Sequence, residues 1–321
     1  MKPMIKYRGG KSREIPAIMW NMPRFTGRYV EPFFGGGALF FHIEPREAII
    51  NDINAPLMAF YKGVRDDYER VREELDALVG EYDANRKEYE ARKRAHPEER
   101  VEDANEALYY ALRDMYNGKR AREYSSAAIY YFINKTAYSG MIRYNGKGEF
   151  NVPYGRYKHI STENVTLSHS LLLRRAELYN GDYADVFNLC REGDFVFLDP
   201  PYECAFSDYG NEQYRDGFDE RSHRRLAEDF RNLPCKAMMV ISRTKLTEEL
   251  YGSYIVEEYA KEYAVNIRNR FKSTANHVIV TNYRKAWSEP SIVDDAGDCR
   301  RQAETIEPML FEDTGRYGKS E

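Results

Sequence analysis

The four residues Asp199-Pro200-Pro201-Tyr202 put an acid, two carbonyls without neighbouring N–H groups and an aromatic ring side by side. They close the run Asp194-Phe195-Val196-Phe197-Leu198, whose β-branched and aromatic residues read as a buried strand. Two prolines cannot continue a hydrogen-bonded ladder, so the chain must leave the sheet at Asp199. The carboxyl ends of strands are where open α/β sheets bind ligands. An acceptor-rich loop with a stacking ring suits a flat base that carries an amino group. A Pro-Pro turn after an ordinary strand contains the same residues, so the other motifs must decide.

Three further stretches narrow the choice. Lys6-Tyr7-Arg8-Gly9-Gly10-Lys11-Ser12 sets two glycines between cations and beside a ring, a loop where backbone can approach an anion. A flexible basic terminus is its plainer reading. Arg28 to Phe41 runs through Glu31-Pro32-Phe33-Phe34-Gly35-Gly36-Gly37 into an apolar segment, the strand, glycine turn and helix of a nucleotide-binding sheet. Its spacing is not G-x-G-x-x-G, so no dinucleotide fingerprint is met. Asp52, at the end of the expected strand Ala48–Ile50, is an acid about 20 residues after that turn, placed to accept bonds from ribose hydroxyls. Asn51-Asp52 as a cap for the helix opened by Pro56 is the competing reading.

The second dense region spans Tyr130 to Tyr157. Asn145-Gly146 signals a hairpin turn, with Arg143 before it and Lys147 after it. A basic, aromatic hairpin is a good groove probe, because arginine can read guanine bidentately and a tyrosine can wedge into a stack. An ordinary surface hairpin has similar charges.

The elements that must position these residues follow from periodicity and breakers. Tyr29-Val30, Ala48–Ile50, Asp194–Leu198 and Lys236–Ser242 read as strands, and Tyr254–Tyr259 with His277–Tyr283 as a late hairpin at the sheet edge. Asp66 to Asn117 is charged and helical, with Val71, Leu75, Leu78 and Val79 as one stripe, a break at His96-Pro97, and a second helix from Glu102 to Met115. Helices are also expected to end near Cys190 and to run over Arg221–Phe230 and Leu246–Tyr251. Cys204 to Asp219 reads as a mobile loop over the site.

Net charge is −4, which at first argues against a nucleic-acid partner. The acids, however, concentrate at the end: residues 288–321 hold nine against four bases and read as a disordered tail. Residues 121–160 hold six cations against two acids, interleaved with tyrosines. No run of about 18 apolar residues marks a membrane span. No signal peptide is visible, and four cysteines without metal or redox spacing fit reduced thiols in a cytoplasmic protein.

The order of these pieces resembles the Dam-type DNA adenine-N6 methyltransferases. The matching motifs are Lys6-Tyr-Arg-Gly-Gly-Lys11, Glu31-Pro-Phe-Phe-Gly-Gly-Gly37, Asn51-Asp-Ile-Asn54, the Tyr138–Tyr157 segment and Asp199-Pro-Pro-Tyr202. The resemblance covers roughly residues 5 to 283. It implies an α/β protein with a class I methyltransferase fold, a Rossmann-like mixed sheet, interrupted by a helical plus β-hairpin target-recognition insertion. The implied division is a catalytic domain at 1–60 and 165–287, a recognition insertion at 61–164, and the tail.

The resemblance implies S-adenosylmethionine as cofactor, double-stranded DNA as partner, and a monomer in solution. Tyr7, Lys11, Glu31, Phe33, Gly35, Gly37, Asp52 and Asp199 would bind the cofactor. Asp199, Pro200, Pro201 and Tyr202 would be catalytic. Lys6, Tyr138, Ser139, Arg143, Pro153, Arg156 and Tyr157 would meet DNA, with Tyr138 as wedge and Arg143 reading a guanine. Tyr7 stands where tryptophan is common and Ser139 where asparagine is common. The Asp66–Asn117 helices and the tail have no counterpart in the pattern. The implied reaction flips an adenine from the duplex, stacks it on Tyr202, and holds its amino group on Asp199 and the Pro200 carbonyl. GATC is the site the resemblance suggests. The alternatives are an RNA adenine or DNA cytosine-N4 methyltransferase and a catalytically inactive DNA-binding relative.

Overall fold

Short apolar runs closed by polar or glycine-rich turns form the strands at the centre of the molecule. The computed structural model describes residues 1–5, 7, 9–202, 218–262 and 274–284. Among them, strands β1 (Tyr29–Glu31), β2 (Ala48–Asn51), β3 (Ala176–Tyr179), β4 (Phe195–Leu198), β5 (Lys236–Ser242), β6 (Ile255–Glu262) and β7 (Thr274–Thr281) form one mixed sheet. Its order is β3-β2-β1-β4-β5-β7-β6. The first five strands are parallel, while β7 runs antiparallel between β5 and β6.

The helices are α1 (Ile15–Asn21), α2 (Ala38–Ile43), α3 (Ala55–Asp66), α4 (Tyr68–Ala95), α5 (Ala104–Tyr116), α6 (Ser126–Thr136), α7 (Leu167–Leu173), α8 (Tyr183–Phe187), α9 (Glu220–Arg231) and α10 (Lys245–Tyr251). Both faces of the sheet are covered, so its inner strands are continuously apolar instead of alternating. Tyr29, Phe195, Phe197, Met238 and Val240 belong to one core with residues of α3 to α6. Val30, Val196, Leu198, Met239 and Ile241 belong to the other, with residues of α8, α9 and α10.

The chain winds outward from β1 through β2 to β3, then returns to β4 on the other side of β1. That reversal separates the loops that follow β1 and β4 and opens a crevice at the carboxyl ends of both. Glu31 ends β1, and Asp199 follows β4 directly.

The four inner strands expected from the sequence, β1, β2, β4 and β5, are present, as is the late edge hairpin. The charged region forms two helices, α4 and α5, with Asp103 capping the second through the Asn105 amide. Val71, Leu75, Leu78 and Tyr82 are the buried stripe of α4, while Val79 lies at its margin. The sequence reading did not separate out β3, α6 or α7. Helix α6 is buried on nearly all sides, so its Ala-Ala-Ile-Tyr-Tyr-Phe-Ile run has no polar face to betray a helical period. It crosses α3 closely: a methyl group added at Gly63 would sit 2.6 Å from the Ala127 side chain.

Candidate active site

The crevice is built from the loop after β1, the loop after β2, the β4 exit and the N-terminal segment. One cleft there is lined by Tyr7, Lys11, Glu31, Phe33, Gly35, Gly37, Asp52, Asp199, Pro200, Pro201 and Tyr202. Every residue singled out for cofactor binding or catalysis therefore meets at one place. Gly140 and Ile142, at the foot of the 143–151 hairpin, line the same cleft.

The glycine turn needs glycine for two reasons. Gly35 and Gly37 have φ of +48° and +62°, in the left-handed region. At Gly37 a Cβ would also lie 2.5 Å from the Phe34 ring. The Tyr7 ring packs on the outside of the turn, 3.0 Å from where a Gly35 Cβ would stand. Tyr61, one of the residues the sequence reading missed, donates its hydroxyl to the Gly35 carbonyl at 3.0 Å.

Asp52 ties the turn to the second loop. Its carboxylate accepts from the Gly35 amide at 2.8 Å and from the Asn54 amide at 2.9 Å. Burial raises its pKa, and those two amide bonds partly offset the rise. The helix cap is Asn54, whose side chain accepts from the Leu57 amide. Asn54, not Asp52, thus caps α3, and Asp52 lines the cleft. Asn180 donates to the Asp52 carbonyl at 2.7 Å, and Asn51 exchanges two bonds with Gly181. Gly181 and Tyr183 bring the β3–α8 turn into the cleft, another contribution missed from sequence. Its signal was the run Asn180-Gly181-Asp182, a turn followed by the residue that caps α8.

Glu31 is buried and accepts from the Tyr29 hydroxyl at 2.8 Å. Burial pushes its pKa well above the usual carboxylate range; the Tyr29 bond opposes this, while Asp199 and Asp52 add to it. Burial also raises the Tyr7 phenol, with the Asp52 charge as the next contribution.

Lys11 is the cation of the site and is only 2% exposed. Its ammonium bonds Asp199 Oδ1 at 2.6 Å, Asp199 Oδ2 at 2.5 Å and the Gly9 carbonyl at 2.9 Å. It also stands 5.0 Å from the centre of the Tyr202 ring. The Tyr202 hydroxyl reaches Asp199 Oδ1 at 3.3 Å. Behind Tyr202, the His277 ring lies edge-on at 5.1 Å, and its Nδ1 is 2.9 Å from Glu14. The sequence placed Lys11 and Asp199 in one site but did not foresee this contact between them.

Among the described residues, those expected to meet DNA are not part of the cleft lining. Tyr138 is 45% exposed at the start of a short turn in which Ser139 adopts φ +56°. Arg143 is exposed and donates Nε to the Asn151 side chain at 2.9 Å. Pro153 is exposed, and its carbonyl accepts from the Tyr138 amide, joining the two ends of the hairpin segment. Arg156 has φ +54° and pairs with Glu106 at 2.8 Å. The Tyr157 ring packs over Gly155, and its carbonyl accepts from Tyr82. Lys6, the 203–217 segment and the acidic tail lie outside the described residues.

The hairpin itself is real but differs in its turn. The Asn145 carbonyl accepts from the Gly148 amide, and Gly148 carries the positive φ, +75°. That pattern is a type I turn followed by a left-handed residue, not a two-residue Asn-Gly turn. The Asn145 side chain accepts from the Lys147 and Glu149 amides, which explains its place there.

A parallel sheet that reverses direction at an acid- and glycine-lined crevice defines a nucleotide-type ligand site. A family model described as D12 class N6 adenine-specific DNA methyltransferase matches residues 7–267. The chain is 30% identical over 291 residues to the type II methyltransferase M.CviBI of Paramecium bursaria Chlorella virus NC1A, covering 88% of this chain and 100% of that one. It is 31% identical over 306 residues to the type II methyltransferase M.MjaIII of Methanocaldococcus jannaschii, covering 88% and 99%. With the DNA adenine methylase of Salmonella typhi it shares 28% identity over 281 residues, covering 85% and 90%. The chain belongs to the D12 class of N6 adenine-specific DNA methyltransferases, and its mixed sheet is the class I methyltransferase fold. Among the described residues, no helix is long and apolar enough to cross a membrane.

Proposed function

We propose that the cleft binds S-adenosylmethionine together with an adenine turned out of duplex DNA, and that the 138–157 segment selects the sequence around that adenine. The carrying observation is that Asp199, Tyr202 and the glycine turn share one cleft with Gly140 and Ile142 at the foot of the hairpin. The residues present suit the cofactor. Gly35 to Gly37 line the cleft with bare backbone, Asp52 offers a carboxylate to a ribose diol, and Tyr7, Lys11, Glu31 and Phe33 complete the wall. When bound, the cofactor supplies a methyl group already activated on sulfur.

The remaining work falls to the chain itself, chiefly positioning and electrostatics. Tyr202 offers its ring to the base. Asp199 and the Pro200 carbonyl accept hydrogen bonds from the adenine amino group and so aim the nitrogen lone pair. Lys11 now donates to both Asp199 oxygens, so an incoming amino group competes with it for one of them. Tyr138 wedges into the stack beside the extruded adenine. Arg143 presents its terminal nitrogens to a guanine, with Ser139, Pro153, Arg156 and Tyr157 along the bases and phosphates. Residues 61–164 act as the recognition unit and the rest of the folded chain as the catalytic unit. Lys6 adds a base contact, and the protein works as a monomer.

The test is tritium transfer from labelled S-adenosylmethionine to unmethylated plasmid DNA, followed by single-molecule mapping of modified bases. N6-methyladenine confined to one short motif is expected, with GATC the first motif to examine. Incorporation into cytosine or only into RNA would overturn the substrate assignment, and cofactor binding without transfer to any nucleic acid would overturn the catalytic one.

A further inference from the structure

The hairpin that carries Arg143 has little ladder of its own. Tyr144 and Phe150 face each other as an isolated bridge. The flanking bonds are Asn145 amide to Glu149 carbonyl at 2.8 Å and Asn151 amide to Arg143 carbonyl at 3.1 Å. Tyr144 and Phe150 are therefore the pair without mutual hydrogen bonds, and the backbone groups of Phe150 point outward. A two-stranded ribbon this short is marginal in water.

Those outward groups are met from helix α5. Asn117, just past its C-terminus, accepts from the Phe150 amide at 2.9 Å and donates to the Phe150 carbonyl at 3.0 Å. One side-chain amide thus does the work of a third strand. Its neighbour Tyr116 meets the Tyr144 hydroxyl at 2.8 Å and packs its ring against Phe150 at 5.6 Å. One helical turn back, Arg113 reaches the Val152 carbonyl at 3.4 Å, and Tyr109 donates to the same carbonyl at 2.8 Å. Positions 109, 113, 116 and 117 share one face of the helix.

We infer that Asn117 and Tyr116 are positioning residues for sequence recognition: they fix the register and tilt of the hairpin, and through it the place of Arg143. This rests on the reading of the hairpin as the base reader. Neither residue lines the cleft of Asp199. Their loss displaces the reader and spares the chemistry. A contact that serves only folding would lower the active fraction, and activity would fall equally on every DNA sequence.

The experiment measures kcat/KM on a duplex with the mapped motif and on duplexes with single base-pair changes. The ratio of the two is independent of the fraction of enzyme that is folded. Asn117→Ala is expected to lower the ratio at one base pair by about fivefold or more, part of the roughly 5- to 150-fold carried by a bidentate base contact. Tyr116→Phe, which removes one hydroxyl, is expected to lower it less, and it carries the test if Asn117→Ala fails to fold. Arg143→Ala is measured beside them, and adding Asn117→Ala or Tyr116→Phe to it should lower the ratio no further. If Arg143→Ala lowers the ratio and Asn117→Ala and Tyr116→Phe do not, the inference is wrong and the hairpin still reads bases. If none of the three moves it, the hairpin is not the reader, and both readings fall. An equal loss from Asn117→Ala with and without Arg143 would place Asn117 outside this pathway and also overturn the inference.

Discussion

The cleft and the 138–162 segment are held in place by different physics. Around the cleft, parallel strands with full ladders and two buried cores fix the ends of β1, β2 and β4. The segment from Tyr138 to Thr162 contains only isolated bridges and short turns, at Tyr138–Gly140 and 145–148. It is fastened by single side chains, largely tyrosines. Tyr82 meets Tyr154 and Tyr157, Tyr109 meets Val152, Tyr116 meets Tyr144, and Tyr131 meets Ser161. Each ring buries apolar area while its hydroxyl satisfies a polar group of an irregular chain. On the proposed reading, the chemistry is thus placed by a cooperative sheet, and the recognition surface by separable fasteners.

Four changes break or sharpen this contrast. The largest effect is expected from Asp199→Ala, which should reduce methyl transfer on the order of 10²–10³-fold or more. A gel-shift assay should find its DNA affinity and sequence preference close to those of the parent, and retained turnover would remove Asp199 from the mechanism. Next is Gly37→Ala, which combines a left-handed backbone with a clash on Phe34. Urea unfolding should show a loss of about 2–4 kcal/mol, with weakened cofactor binding.

Tyr82→Phe strikes the other region. It takes a hydroxyl from a buried pair and from the Tyr157 carbonyl, and should cost about 1–2 kcal/mol. Hydrogen exchange should rise along residues 154–157 while cofactor affinity stays constant; the reverse pattern would deny the separation drawn here.

The smallest effect is a pH dependence. Glu31 has a raised pKa, chiefly from burial, so it holds its proton to a higher pH than an exposed carboxylate does. A cation arriving beside it favours the carboxylate and expels the proton. Affinity for the sulfonium cofactor should therefore rise with pH up to the pKa of the free site, by at most about tenfold per unit for one proton. S-adenosylhomocysteine is neutral at sulfur and should lack this rise, as should the Glu31→Gln variant with either ligand. Calorimetry across that pH range reads the difference.

The same contrast governs what the sequence disclosed. Strands β1, β2, β4 and β5 are apolar runs with breakers at their ends, and glycine, acid and proline stand where the ligand-facing turns need them. These are local signals, so the glycine turn, Asp52 and Asp199–Tyr202 could be named from the residues, while Tyr7, Lys11, Glu31 and Phe33 came from the family resemblance. Helix α6 was hidden because burial on all sides erases amphipathic period. Strand β3 was hidden because only Ala176 of its four residues is fully buried. The tyrosines misled in a different way. Interleaved with cations over residues 121–160, they read as a nucleic-acid surface, yet Tyr130, Tyr131 and Tyr154 are buried. Which tyrosine stays exposed and which grips the chain depends on tertiary partners 30 to 75 residues away. The Lys11–Asp199 contact joins residues 188 apart and had no local signature at all.

The fasteners from α4, α5 and α6 have a common target that bears on how recognition can change. Tyr82, Tyr109, Tyr131 and Asn117 all reach main-chain atoms of the segment, at Tyr157, Val152, Ser161 and Phe150. Every residue supplies the main-chain carbonyl, and every residue but proline the N–H. The side chains at 143, 147, 151 and 153 can therefore be rewritten without unfastening the ribbon that displays them. If the hairpin reads bases as proposed, it is an exchangeable cartridge: a new DNA motif requires new letters on its rim, while the socket and the methyl-transferring engine stay as they are.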